Sequence, residues 1–128
     1  MGAIELANKR IYSMFVENPI SGDNVPRILI PREFICQIIR VVKLDSASGQ
    51  IDWRVRFDPD ASQVGSATIL HSATGVSNNT TGVTYLPPFT NGTVPADNWV
   101  WLELDNVTTG INRPVAVMVE LIGVERGS

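Results

Sequence analysis

The run Ile51-Asp52-Trp53-Arg54-Val55-Arg56-Phe57 constrains this chain more than any other stretch. Apolar residues at 51, 53, 55 and 57 alternate with charged residues at 52, 54 and 56. A period of two sends one set to a core and the other to water, which is the pattern of a half-buried strand. Wound as a helix, the same apolar groups would spread around the axis. The inward types are β-branched or aromatic, as strand packing favours. Such a strand needs partners, so the first question is what the rest of the chain offers it.

Phe34–Leu44 is rich in Ile and Val, and Ser46-Ala47-Ser48-Gly49-Gln50 separates it from the Ile51 run. A short Gly-containing loop between two strand patterns predicts a hairpin around Gly49. Phe34–Leu44 does not hold one clean alternation, which a bulge or burial on both faces would explain. Two further strand patterns, Asn98–Leu104 and Val115–Ile122, flank a polar connection containing Gly110 and Pro114, and predict a second, looped hairpin. Val115, Val117, Val119 and Leu121 share one face of the last run, and Glu120 on the other face suggests partial exposure or an edge. The middle, residues 58–97, is rich in Ser, Thr, Asn and Gly and is punctuated by Pro87, Pro88 and Pro95. It reads as turns and loops, with short strands at Ala67–Leu70 and Val83–Leu86. Ile11–Val16 and Arg27–Ile30 are strand-like too, and Met1–Arg10 suits a helix or an arm. Many short strands between turn signals predict an all-β chain: an antiparallel β-sandwich, jelly-roll-like, in a single domain. The division expected is an N-terminal segment over residues 1–29, either an arm or first strands, and a sandwich over residues 30–126.

At 128 residues and 44% apolar content, one folded domain is expected without a metal or disulfide staple. Arg40, Lys43 and Glu120 interrupt the longest apolar runs, so no segment spans a bilayer as a helix, and no membrane partner is expected. The net charge is −3 and the basic residues are scattered, which argues against a nucleic-acid grip. Met1–Glu17 lacks the basic, apolar and small-residue order of a secretory signal, so synthesis in a cytoplasm is expected.

Reactive groups are scarce. Cys36 is the only cysteine and sits in an apolar run, as a buried small hydrophobe does. His71 is the only histidine; a Ser–His–acid set around it lacks a Gly-x-Ser-x-Gly elbow, and a loop or strand-edge position is the simpler reading. Asp58-Pro59-Asp60 reads as the end of a strand and the start of a turn, since it lacks the spaced ligands of a calcium loop. No phosphate-binding glycine motif is present. Asn78, Asn79, Asn91 and Asn106 begin Asn-x-Ser/Thr patterns, which without a secretory signal are chance matches. No enzyme, cofactor or metal is therefore expected. Trp99 and Trp101 share a strand face with Glu103 next along it, and these three residues are the expected interface. Exposed, the two rings could stack on a sugar; packed, they would meet a neighbouring sheet or subunit.

The stretches Ile39-Arg40-Val41-Val42, Asp52-Trp53-Arg54-Val55-Arg56-Phe57 and Ala96-Asp97-Asn98-Trp99-Val100-Trp101-Leu102-Glu103, followed by a Thr/Gly loop and a Val-rich last strand, resemble small β-rich virion proteins of tailed bacteriophages. The resemblance runs from Phe34 to Val124 and carries no diagnostic motif. It implies a capsid decoration (cement) or head-fibre component with a β-sandwich or jelly-roll subunit. It implies a homotrimer bound to a major capsid protein and located in the virion. The segment ahead of residue 30 would be placed to clasp the shell. The competing expectation is a receptor- or glycan-binding module of a fibre or tail.

Overall fold

The computed structural model describes residues 9–44, 49–63, 65–77 and 81–126. Among these residues the chain forms β1 (Lys9–Glu17), β2 (Asn24–Ile30), β3 (Glu33–Leu44), β4 (Gln50–Asp58), β5 (Thr68–Ser77), β6 (Val83–Tyr85), β7 (Thr93–Val94), β8 (Asn98–Asp105) and β9 (Ala116–Arg126). A single 3-10 turn, Gly110–Asn112, lies between β8 and β9. The five-stranded sheet has the order β1-β9-β3-β6, with β7 also pairing β3. The four-stranded sheet has the order β2-β8-β4-β5. All of the pairs are antiparallel. This is a jelly-roll β-sandwich, the all-β architecture the strand spacing predicts.

Both predicted hairpins are corrected. β3 pairs with β9, β6 and β7, whereas β4 lies in the other sheet with β8 and β5. β8 and β9 are likewise in different sheets. The connections around Gly49 and Gly110 are therefore arches from one sheet to the other. Their described ends lie side by side: Val115 N donates to Leu44 O at 2.8 Å and Thr108 N donates to Gln50 O at 3.0 Å. Gln50 N in turn donates to Thr108 Oγ1 at 2.9 Å. The β1–β2 connection joins them, with Asn18 N donating to Val115 O and Val107 N to Ser21 Oγ. A polar loop with a glycine serves an arch as well as a hairpin. What decides is core packing: Val41 and Val55 enter one core from opposite sheets rather than sit in the same sheet.

The alternation at 51–57 holds: Ile51, Trp53, Val55 and Phe57 are buried in the core. From the opposite sheet come Met14, Val16, Phe34, Ile39, Val41, Val117, Val119 and Leu121. Val115, by contrast, is exposed and stands outside β9. The uneven pattern of Phe34–Leu44 has its cause in a register shift between Cys36 and Ile38, opposite Gly123 and Ile122. A Cβ at Gly123 would stand 2.0 Å from the Ile35 carbonyl oxygen, so β9 passes this bulge only as glycine. β9 is a central strand, so Glu120 is not on an edge. β5 is ten residues long, well beyond the predicted Ala67–Leu70. Residues 9–30 supply β1 to one sheet and β2 to the other, so the first strands are part of the sandwich. The helix-or-arm expectation for Met1–Arg10 falls mostly outside the described residues; Lys9 and Arg10 open β1.

At one end of the core Tyr12 packs edge-on against Phe34, ring centroids 5.1 Å apart. Its hydroxyl donates to Glu125 at 3.0 Å, and Arg10 Nε donates to the other oxygen at 2.9 Å. Lys43, at the opposite end of β3, is fully buried and partnered.

Candidate interaction faces

The two sheets turn very different outer faces to their surroundings. In antiparallel sheets cross-strand partners share a face, so the register defines each surface. On the four-stranded sheet, Arg54 lies opposite Glu103, Arg56 opposite Trp101, Asp58 opposite Trp99 and Arg27 opposite Trp101. Arg54 Nε binds Glu103 Oε1 and Arg54 Nη2 binds Asp105 at 3.1 Å. Arg56 Nε binds the other Glu103 oxygen at 3.2 Å, and its Nη1 donates to Ala67 O at 2.8 Å. The hydrogen bond to Glu103 raises the Arg54 pKa further, so this guanidinium is charged at any working pH. This face is a ladder of satisfied ion pairs.

The predicted interface residues Trp99, Trp101 and Glu103 do share this outer face, and Val100, Leu102 and Leu104 are the core side of β8. Trp101, however, is fully buried within the monomer. The guanidinium carbon of Arg27 sits 4.0 Å from its ring centroid and covers it. Arg27 is held there by donating Nη1 to Gln63 O at 3.0 Å. Trp99 is half-buried beside the exposed Leu29. The two indoles therefore do not form a paired stacking platform. Sequence reasoning could not find Arg27 as the lid, because 74 positions separate it from Trp101 and no local pattern links them.

The outer face of the five-stranded sheet is apolar. β1 contributes Ile11 and Phe15, paired with Ile122 and Met118 of β9. β3 contributes Ile38 and Val42, paired with the same two residues from the other side. Ile35 and Val124 extend the patch, and Leu44 ends it. Ile11 is 55% exposed, Phe15 50% and Leu44 45%. Amid these lies one charged pair, Arg40 Nη1 to Glu120 Oε1 at 3.8 Å. The signal for this face was present in the sequence as the Ile and Val at 35, 38 and 42, but it read as a bulge or as burial on both faces. One of those two sides is the outside.

His71 lies on β5, the edge strand of its sheet, as its surroundings in sequence suggest. Its ring packs at 5.1 Å from Phe89 and 6.2 Å from both Trp53 and Tyr85. These rings bridge β5 and β6, and so close the open side between the sheets. Burial pushes the His71 pKa down, favouring the neutral imidazole. Among the described residues its buried Nδ1 has no hydrogen-bond partner, and no acid there orients it as a Ser–His–acid set requires.

Cys36 is buried, and burial pushes its thiol up to about 12. Asp58 ends β4, and Asp60 accepts from the backbone and hydroxyl of Ser62, a turn as predicted. Among the described residues no three His, Cys, Asp or Glu side chains gather as metal ligands. No helix there is long and apolar enough to cross a membrane. The side-chain amides of Asn91 and Asn106 are engaged, donating to Ile69 O and to Asp52. A groove of about 200 Å³ lies where the arches meet, lined by Pro19, Ile20, Val107 and Arg113 among others. Compared with known proteins, the chain matches no family model and no curated sequence.

Proposed function

We propose that this chain is an assembly subunit of a virus particle, a capsid decoration (cement) protein of a tailed bacteriophage made in the host cytoplasm. The observation that carries the reading is the apolar outer face of the five-stranded sheet, centred on Ile11, Phe15, Val42 and Met118. Covering a large apolar side chain is worth roughly 1.5–3 kcal/mol, so a contiguous patch of them favours a partner. The jelly roll is a fold used in viral shells, which supports the reading at the level of analogy. So does the resemblance of residues 34–124 to small phage virion proteins. A decoration protein works through faces and needs no reactive centre, and its weak single contacts add up through symmetry.

The glycan-binding alternative rests on Trp99, since Arg27 covers Trp101. Two experiments separate them. The decoration reading expects the chain in purified particles and expects added protein to co-sediment with undecorated shells and raise their resistance to heat. Particles that lack it, and shells that fail to bind it, overturn the reading.

A further inference from the structure

The apolar face raises the question of its occupant, and its own layout answers it. We infer that the face is buried against a second copy of this chain, in a two-fold contact between five-stranded sheets. The inference rests on the assembly reading and names the partner for this surface.

Size is the first support. β1 has nine residues, β9 eleven and β3 twelve, and the short β6 and β7 add three and two. At ~3.4 Å per residue and ~4.8 Å per strand the face covers on the order of 600 Å². A stable protein interface takes about 800 Å² from each partner, so this single face supplies most of one.

Charge is the second support. At the middle of the face stand one cation and one anion, on adjacent strands and in register, Arg40 on β3 opposite Glu120 on β9, while Lys9, Glu17, Glu33 and Arg126 stand at the strand ends. At 3.8 Å they make only a long contact within the chain, and the Arg40 side chain is 48% exposed. A two-fold axis running along the strands, between β3 and β9, lays β3 of each copy over β9 of the other. Arg40 of each copy then stands over Glu120 of the other, and Val42 over Met118. The same patch is thus complementary to itself, which is what a two-fold contact demands. The outer face of the other sheet offers no such use, because Arg54, Arg56 and Glu103 satisfy one another within the chain.

The test is the mass of the purified chain in solution, across a range of concentrations, for the wild type and three variants. The wild type should have twice the 14.0 kDa of one chain. Phe15→Glu should weaken the association by about thirtyfold or more, as replacing a large apolar contact by a charge does. Arg40→Glu and Glu120→Arg should each be monomeric. Mixed in equal amounts, these two should associate again, because both crossed pairs become attractive between chains while each pair within a chain stays repulsive. Phe15, Arg40 and Glu120 all lie outside the core, so circular dichroism should show unchanged folding. Should Phe15→Glu fail to fold, the mixing experiment alone decides. A monomer at all concentrations, a three-chain mass, a two-chain mass indifferent to Phe15→Glu, or no reassociation on mixing overturns the inference. Particle binding is read separately: a monomer that still co-sediments with shells sinks the two-fold contact and leaves the decoration reading standing.

Discussion

Arg27 lies over the indole of Trp101, its guanidinium carbon 4.0 Å from the ring centroid, and joins the edge strand β2 to β8 through side chains as well as backbone. The contact buries the ring and uses the delocalised charge of a planar group over a π face. Arg27→Ala should destabilise the fold by about 1–2 kcal/mol, by loss of packing, the cation–π contact and the bond to Gln63. Arg27→Lys should recover part of it. Urea unfolding followed by tryptophan fluorescence measures both, and the folded Arg27→Ala protein should emit further to the red as Trp101 meets water. An unshifted spectrum would show that another group covers the ring.

At Gly123 the test is steric. A methyl group there would collide with the Ile35 carbonyl, which is backbone and cannot turn aside. Gly123→Ala should therefore lower stability by about 3 kcal/mol or more. A Cβ at Gly65 would meet only open space, and Gly65→Ala should stay within about 0.5 kcal/mol of wild type. Thermal melts of the two variants side by side give the comparison.

Glu103 serves two arginines and Asp105 one. Glu103→Ala leaves Arg54 and Arg56 facing each other over a part-buried surface, and should cost about 1–3 kcal/mol. Asp105 is about half exposed, 49%, so Asp105→Asn should change stability by only about 0–1 kcal/mol. Equal losses in chemical denaturation would refute this ranking. The Glu103 effect should also persist in high salt, which screens exposed pairs more than covered ones.

Glu125 and Tyr12 set opposite pH limits. Burial acts to raise the Glu125 pKa, but the hydrogen bonds from Arg10 and Tyr12 and the charges of Arg10 and Arg32 outweigh it and hold the carboxyl below its usual range. A carboxyl with a lowered folded pKa contributes stability that is complete above the unfolded value and fades as pH falls through the folded one. Tyr12 runs the other way: burial first, then its bond to Glu125, pushes the phenol from 10.0 up to about 12. Its contribution is whole below pH 10.0 and fades as pH rises toward about 12. Melting temperature against pH should show the acid loss reduced in Glu125→Gln and the alkaline loss reduced in Tyr12→Phe. Profiles that superimpose on wild type would exclude the pair as the cause.

Cys36 should be inert in the folded protein. Its thiol is buried and held protonated up to about 12, and only thiolates attack. A water-soluble aromatic disulfide should label it no faster than the chain unfolds, with labelling rising in step with denaturant. Rapid labelling in native buffer would contradict the burial.

How much of this was legible in the sequence depends on the range of the interaction that decides it. The strand Ile51–Phe57 was legible because its pattern is written in seven neighbouring residues, and burial follows it position by position. The turn at Asp58–Asp60 was legible for the same reason. Strand pairing was not. β3 and β4 look like a hairpin across Gly49, yet β3 takes its long partner from residues 116–126. That choice is made by core packing across the whole chain, and a loop's composition carries no record of it. The candidate faces divide in the same way. Trp99, Trp101 and Glu103 could be placed on one face from their spacing, but the cover over Trp101 comes from β2. The apolar outer face was visible only as an excess of Ile and Val, which does not say which side is solvent.

The position of β9 between β1 and β3 has a consequence for the order of events during synthesis. It is the last strand of the described chain and lies in the middle of its sheet. Until it is made, β1 and β3 have no strand between them, and Ile11, Phe15, Ile38 and Val42 cannot be gathered around Met118 and Ile122. The four-stranded sheet, by contrast, has all of its strands once β8 has emerged. A growing chain on the ribosome thus gathers this outer face only once β9 has entered between β1 and β3.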